Sequence, residues 1–159
     1  MAGTMRVEGI DEVSRMLEEV AEKAPDVAAL ALYDGAGVMA DAYAQAANSI
    51  MVSDRHPPEN VKRLATAEEK KALQGKIGSA KFDKNGSEVN TSVGVSGAGY
   101  VTIGGKQKAV RMLANAINHG TSFMTKQPFF RKAVSKGTRE AEKAIVSEIE
   151  KRVDALAPK

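Results

Sequence analysis

Asn118-His119-Gly120-Thr121-Ser122-Phe123-Met124-Thr125-Lys126-Gln127-Pro128-Phe129-Phe130-Arg131-Lys132-Ala133-Val134 is the stretch that decides the fold. Before it, Val110, Leu113, Ala114 and Ile117 form one stripe of a helix running from Lys108 to about Asn118, with Gly120 placed as its C-terminal cap. After it, Pro128 stands where a first-turn proline belongs. Phe130, Val134, Gly137, Ala141, Ile145, Ile149, Val153 and Leu156 then keep three- and four-residue steps. The stretch is therefore predicted to be a helix stop, a short crossing loop and the head of a long amphipathic helix, roughly 40 Å at 1.5 Å per residue. A helix of that length exceeds the width of a compact domain this size, so part of its stripe is expected to pack against another subunit. The chain holds three Tyr, four Phe and no Trp, and Phe123, Phe129 and Phe130 fall together here. Rings supply the largest single burials in cores and interfaces. The corner is thus predicted to plug a core made otherwise of Ala, Val, Leu, Ile and Met, and to anchor a neighbouring subunit through Gly120, Thr121, Ser122, Phe123, Pro128, Phe129, Phe130 and Arg131.

Upstream the period changes. Ala80 to Lys84, Val89 to Val95 and Tyr100 to Ile103 are short alternating runs rich in β-branched residues, separated by Asn85-Gly86, Ser96-Gly97-Ala98-Gly99 and Gly104-Gly105. They predict about three antiparallel strands joined by hairpin turns, a sheet too small and polar to stand without helices on one face. Thr66-Ala67-Glu68-Glu69 has capping-box spacing and opens a short helix to about Gln74, stopped by Gly75 and Gly78. Residues 51–60, with Pro57-Pro58, read as an exposed loop. Ile10, Val13, Leu17, Val20 and Ala24 mark a first amphipathic helix with an acidic opposite face, ended by Pro25. A second helix, from Asp26 to about Ile50, is apolar or small nearly all round and is expected to be buried on several sides, with Gly35 and Gly37 marking a bend. The fold class is α+β: N-terminal helices and a long C-terminal helix packed on a small antiparallel sheet.

Length and composition bound the rest. The 159 residues suit one domain, 1–159, and 43% hydrophobic with 27% charged residues is ordinary globular usage. No run approaches the ~18 apolar residues of a membrane span, and no apolar run follows the first basic residue, so neither a membrane partner nor a secretory signal is expected. With no Cys and only His56 and His119, thiolate chemistry and multi-histidine metal sites fall away. The Gly94–Gly99 and Gly104-Gly105 clusters open no helix within a βαβ unit and read as turns, not phosphate loops. His119 beside Thr121 and Ser122 lacks an orienting carboxylate, since Glu140 is the next acidic residue downstream. No enzyme, cofactor or metal is predicted. The charge is lopsided: residues 1–54 carry −7 and residues 55–159 carry +10. Acidic and basic surfaces on one chain suit head-to-tail contact between copies. The alternative is a small cytosolic DNA-binding protein using Lys62-Arg63, Lys70-Lys71, Lys76, Lys81 and Lys84, with little interleaved aromatic surface for base stacking.

Gly120-Thr-Ser followed by Pro128-Phe-Phe-Arg-Lys-Ala133 resembles the corner of the tail-completion, or head–tail joining, family of tailed double-stranded-DNA bacteriophages. Val7-Glu-Gly-Ile-Asp-Glu-Val13 resembles the family's opening motif, and Gly78-Ser-Ala-Lys-Phe82 its segment before the strands. The likeness spans about residues 6–153. A Thr-Gly-Xaa-Leu segment common in the family is replaced by the Pro57-Pro58 loop and the Thr66 helix. The resemblance implies a non-enzymatic virion protein of the neck. It would assemble as a homo-oligomeric ring of six or twelve copies around the channel through which genome DNA passes, touching other neck and tail proteins.

Overall fold

The computed structural model describes residues 10–81, 83–85, 88–97 and 99–156. In chain order the elements are α1 (Ile10–Asn48), α2 (Ala67–Gln74), β1 (Ile77–Ser79), β2 (Asp83–Asn85), β3 (Glu88–Asn90), β4 (Val93–Val95), β5 (Tyr100–Ile103), β6 (Lys106–Ala109), α3 (Val110–His119) and α4 (Phe129–Leu156). The architecture is α+β with a long C-terminal helix, as the periodicities predict. The Val7–Gly9 part of the opening motif and Phe82 lie outside the described residues.

The two predicted N-terminal helices are one. α1 runs unbroken through Pro25. Proline removes the bond that residue 25 would donate to the Ala21 carbonyl and crowds that carbonyl with its ring, and the Ala-rich turns behind it continue the helix. Gly35 and Gly37 fall inside the same helix, and Gly35 has a packing reason. A Cβ there would lie 2.5 Å from Ile145 Cγ1, and one at Gly137 would lie 2.7 Å from Ala42 Cβ. These two glycines let α1 and α4 approach closely in an antiparallel pair, which is the most extensive contact in the molecule. The first partner of α4 is therefore α1, not the sheet. Its stripe is buried at Gly137 and Ala141, whereas Val134, Ile149 and Val153 remain exposed.

The strands also differ from expectation: among the described residues they number six, in three antiparallel pairs. β1 pairs with β4 (Ile77↔Val95) and β2 with β3 (Asp83↔Asn90), so the second pair continues the first as a nested hairpin whose register slips by one residue between them. The Ala80 N–H donates to the Ser92 carbonyl at the junction. The alternating run from Val89 to Val95 is thereby split at Thr91-Ser92. β6 covers the residues where the sequence predicted the start of a helix. Gly104 and Gly105 have φ of +56° and +74°, and two successive left-handed residues reverse the chain in a two-residue hairpin. α3 accordingly begins at Val110 and stops where predicted, at His119 before Gly120.

α2 forms as its capping box predicts: Thr66 Oγ1 accepts from the Glu69 N–H, and the Glu69 carboxylate accepts from the Thr66 N–H. Residues 51–60 form a largely exposed loop. The strip after it, residues 62–65, threads between two neighbours. The Ser53 N–H donates to the Ala65 carbonyl, and the Arg63 N–H to the Phe123 carbonyl, both at 2.9 Å. The core gathers at this end, where Tyr43, Ala47 and Ile50 of α1 meet Leu73, Ile103, Ile117 and Phe129. The opposite end of the α1–α4 pair extends away from it. No described helix is long and apolar enough to cross a membrane.

Candidate functional site

The predicted corner is a locked turn. The Gly120 N–H donates to the Ala116 carbonyl at 3.0 Å and closes α3. Gly120 then adopts φ +76°, ψ 172°, a region essentially confined to glycine. A Cβ there would also stand 3.0 Å from the Lys126 nitrogen. Gly120→Ala should cost about 1–3 kcal/mol, read as a fall in melting temperature with helix content otherwise kept. Thr121 Oγ1 accepts from the N–H groups of Phe123 and Met124 at 3.3 and 3.0 Å. Gln127, buried, uses its side-chain amide as a strand would: the Met51 N–H donates to Oε1 at 2.7 Å and Nε2 donates to the Met51 carbonyl at 2.9 Å. Buried Asn118 accepts from the Phe130 N–H at 3.1 Å, satisfying a donor in the first turn of α4.

The three clustered phenylalanines have three different roles. Phe129 is 1% exposed and belongs to the core. Its ring is covered by its own chain, in the core-plugging role expected of the corner. Phe130 is half-buried, 4.4 Å from the Phe129 ring centroid and edge-on to Tyr43 at 5.8 Å. Phe123 is 62% exposed. Of the other predicted contacts, Ser122 and Arg131 are exposed, and Gly120, Thr121 and Pro128 are half-buried.

Phe123 overlooks a groove of about 820 Å³ between α3, the β5–β6 hairpin and the corner loop. Two further large side chains line it, Tyr100 at 68% and Met112 at 73% exposed. Neither was singled out from the sequence, yet both left a signal. Met112 is the large apolar residue lying off the Val110–Leu113–Ala114–Ile117 stripe of its helix. Tyr100 shares the outward phase of its strand with Thr102, opposite buried Ile103. Only the hairpin at Gly104-Gly105, which folds β6 into α3, brings them together.

The groove also reaches a buried charge cluster that sequence reading missed. Glu69 is 1% exposed. Its Oε1 accepts from Arg63 at 2.9 Å and from Lys108 Nζ at 2.8 Å, and its Oε2 accepts from Arg63 at 2.8 Å and the Thr66 N–H at 3.0 Å. Burial alone would raise this carboxyl; the hydrogen bonds from Arg63, Lys108 and Thr66 outweigh it and hold the pKa at about 2. All its acceptor positions are in use, so the group fastens α2, β6 and the 62–65 strip together rather than serving as an acid or base. The available signal was the capping box, which fixed where Glu69 points but not what else it meets.

Other candidates are placed as follows. His56 is exposed in its loop, and exposed His119 has its Nε2 3.1 Å from Asn118 Nδ2. Among the basic residues considered for phosphate contact, Arg63 is held by Glu69, and Lys70 Nζ donates to the carbonyls of Asn48 and Ile50 at the end of α1. Among the described residues no group of three His, Asp or Glu is placed to hold a metal ion. No family model, no curated protein and no solved structure matches this chain.

Proposed function

We propose that this chain is a structural protein of the tailed-phage neck, joining the head connector to the tail tube as a ring of six or twelve copies around the DNA channel. The observation that carries the reading is the groove: Tyr100 of β5, Met112 of α3 and Phe123 stand exposed around it, and Phe123 sits on a corner whose backbone is fixed by Gly120, Thr121 and Gln127. Rigid anchors of this kind suit docking, because little conformational freedom is lost on contact. The resemblance carried by Gly120-Thr-Ser and Pro128-Phe-Phe-Arg-Lys-Ala133 supplies the phage context.

Negative-stain images of the purified full chain test the proposal. Closed rings of uniform copy number with a central opening are expected. A field of single particles that instead retard duplex DNA at low salt would favour the DNA-binding alternative, although Arg63 and Lys70 are engaged within the chain.

A further inference from the structure

Two features lie at opposite ends of the molecule. One is the apolar groove of Tyr100, Met112 and Phe123. The other is the head of α1. Gly35 faces Ile145 and Ala141, while Gly137 faces Met39 and Ala42. This antiparallel register brings Leu156, the last described residue of α4, level with about residue 22 of α1, so roughly three turns of α1 extend beyond it. In sequence those turns carry the stripe Ile10, Val13, Leu17 and Val20, interleaved with Asp11, Glu12, Glu18, Glu19 and Glu22 against Arg15.

We infer that the head of α1, residues 10–22, docks in the groove of a neighbouring copy, making the head-to-tail contact of the proposed ring. The inference rests on the ring reading above and names its two surfaces. Charge selects this occupant. Residues 10–22 carry five acidic residues and one basic. The lining of the groove holds Arg63 and Lys108 against Glu69; outside the lining, exposed Lys126 lies against Gly120, and exposed Arg111, next in sequence to Met112, lies beside Gly97. An amphipathic helix with an acidic flank matches an apolar groove with a basic rim, and the charges orient the encounter. Geometry makes the contact intermolecular. Tyr43, which packs on Phe130 beneath the corner, is 33 residues along α1 from Ile10, a span of about 50 Å. A copy cannot bend its own helix back across that distance. Unlike surfaces on opposite ends give a heterologous contact, which closes into a ring when the rotation allows.

A mixing experiment on the full chain tests this. Met112→Glu with Phe123→Glu spoils the groove and leaves α1 intact; Leu17→Asp spoils the helix stripe and leaves the groove intact. Each variant alone should assemble at least about thirtyfold more weakly than the parent chain. Mixed one to one, they should form a discrete dimer and nothing larger, because one intact helix meets one intact groove and both remaining surfaces are spoiled. Circular dichroism checks that each variant is folded. Should one not fold, Glu18→Lys with Glu22→Lys is the substitute, with Arg111→Glu and Lys126→Glu in the second copy restoring assembly. A mixture that stays monomeric while the parent chain assembles overturns the contact and leaves the ring standing. Variants that assemble like the parent do the same. A parent chain that never assembles overturns both.

Discussion

Phe129→Ala should destabilise the protein by about 3–5 kcal/mol, the range for removing a fully buried ring. Phe129 packs beneath the corner with Phe130 and belongs to the cluster that includes Tyr43, Ile117 and Met124. The surrounding turn is pinned by Gln127 to Met51 and by Asn118 to Phe130, so the site has little freedom to collapse into the cavity. Against a typical total of about 5–15 kcal/mol, the loss lowers the melting temperature by about 10 °C or more. Phe123→Ala provides the contrast. Its ring is largely exposed in the single chain, so the melting temperature of the monomer should hold while self-association weakens. Thermal denaturation and native mass measured on both variants separate a core ring from a docking ring. Equal loss of stability in the two would contradict the roles assigned here.

The second large effect belongs to Glu69. Its folded pKa of about 2 lies below the ordinary 4.5, so the carboxylate stabilises the fold at neutral pH, and this contribution is lost as pH falls from about 4.5 through about 2. Two and a half pKa steps at 1.36 kcal/mol each amount to about 3 kcal/mol. Glu69→Gln keeps the volume but leaves Arg63 and Lys108 without their counter-charge, and should cost a similar amount at pH 7. The variant should also flatten the acid limb: denaturant midpoints of the parent chain fall between pH 4.5 and 2 by more than those of Glu69→Gln. Parallel pH profiles for the two proteins would show that the cluster contributes no net stability.

What could be read from the sequence follows how local each signal is. Gly120 as a stop, Pro128 as a start and Thr66 with Glu69 as a capping box each depend on residues within one or two turns, and all three appear as predicted. The helix break at Pro25 failed because a local rule was set against an extended antiparallel pairing; one missing backbone bond does not outweigh the α1–α4 interface. β6 was missed because Lys106 to Ala109 lack strand character of their own and are held by the Gly104-Gly105 reversal and by Lys108 reaching Glu69. The apolar groove was half visible. Phe123 was marked by the clustering of rings, while Tyr100 and Met112 stand 23 and 11 residues away from it in the chain and meet it only through the hairpin and α3. The Glu69 cluster joins positions 6 and 39 residues apart, a separation that no periodicity reveals.

The proposal to be tested is that the apolar groove seats another copy of this chain. Sedimentation equilibrium of the full chain over a wide concentration range tests it most directly. A 16.9 kDa species should give way, as concentration rises, to one closed assembly of fixed copy number. A mass of 16.9 kDa at every concentration would contradict it.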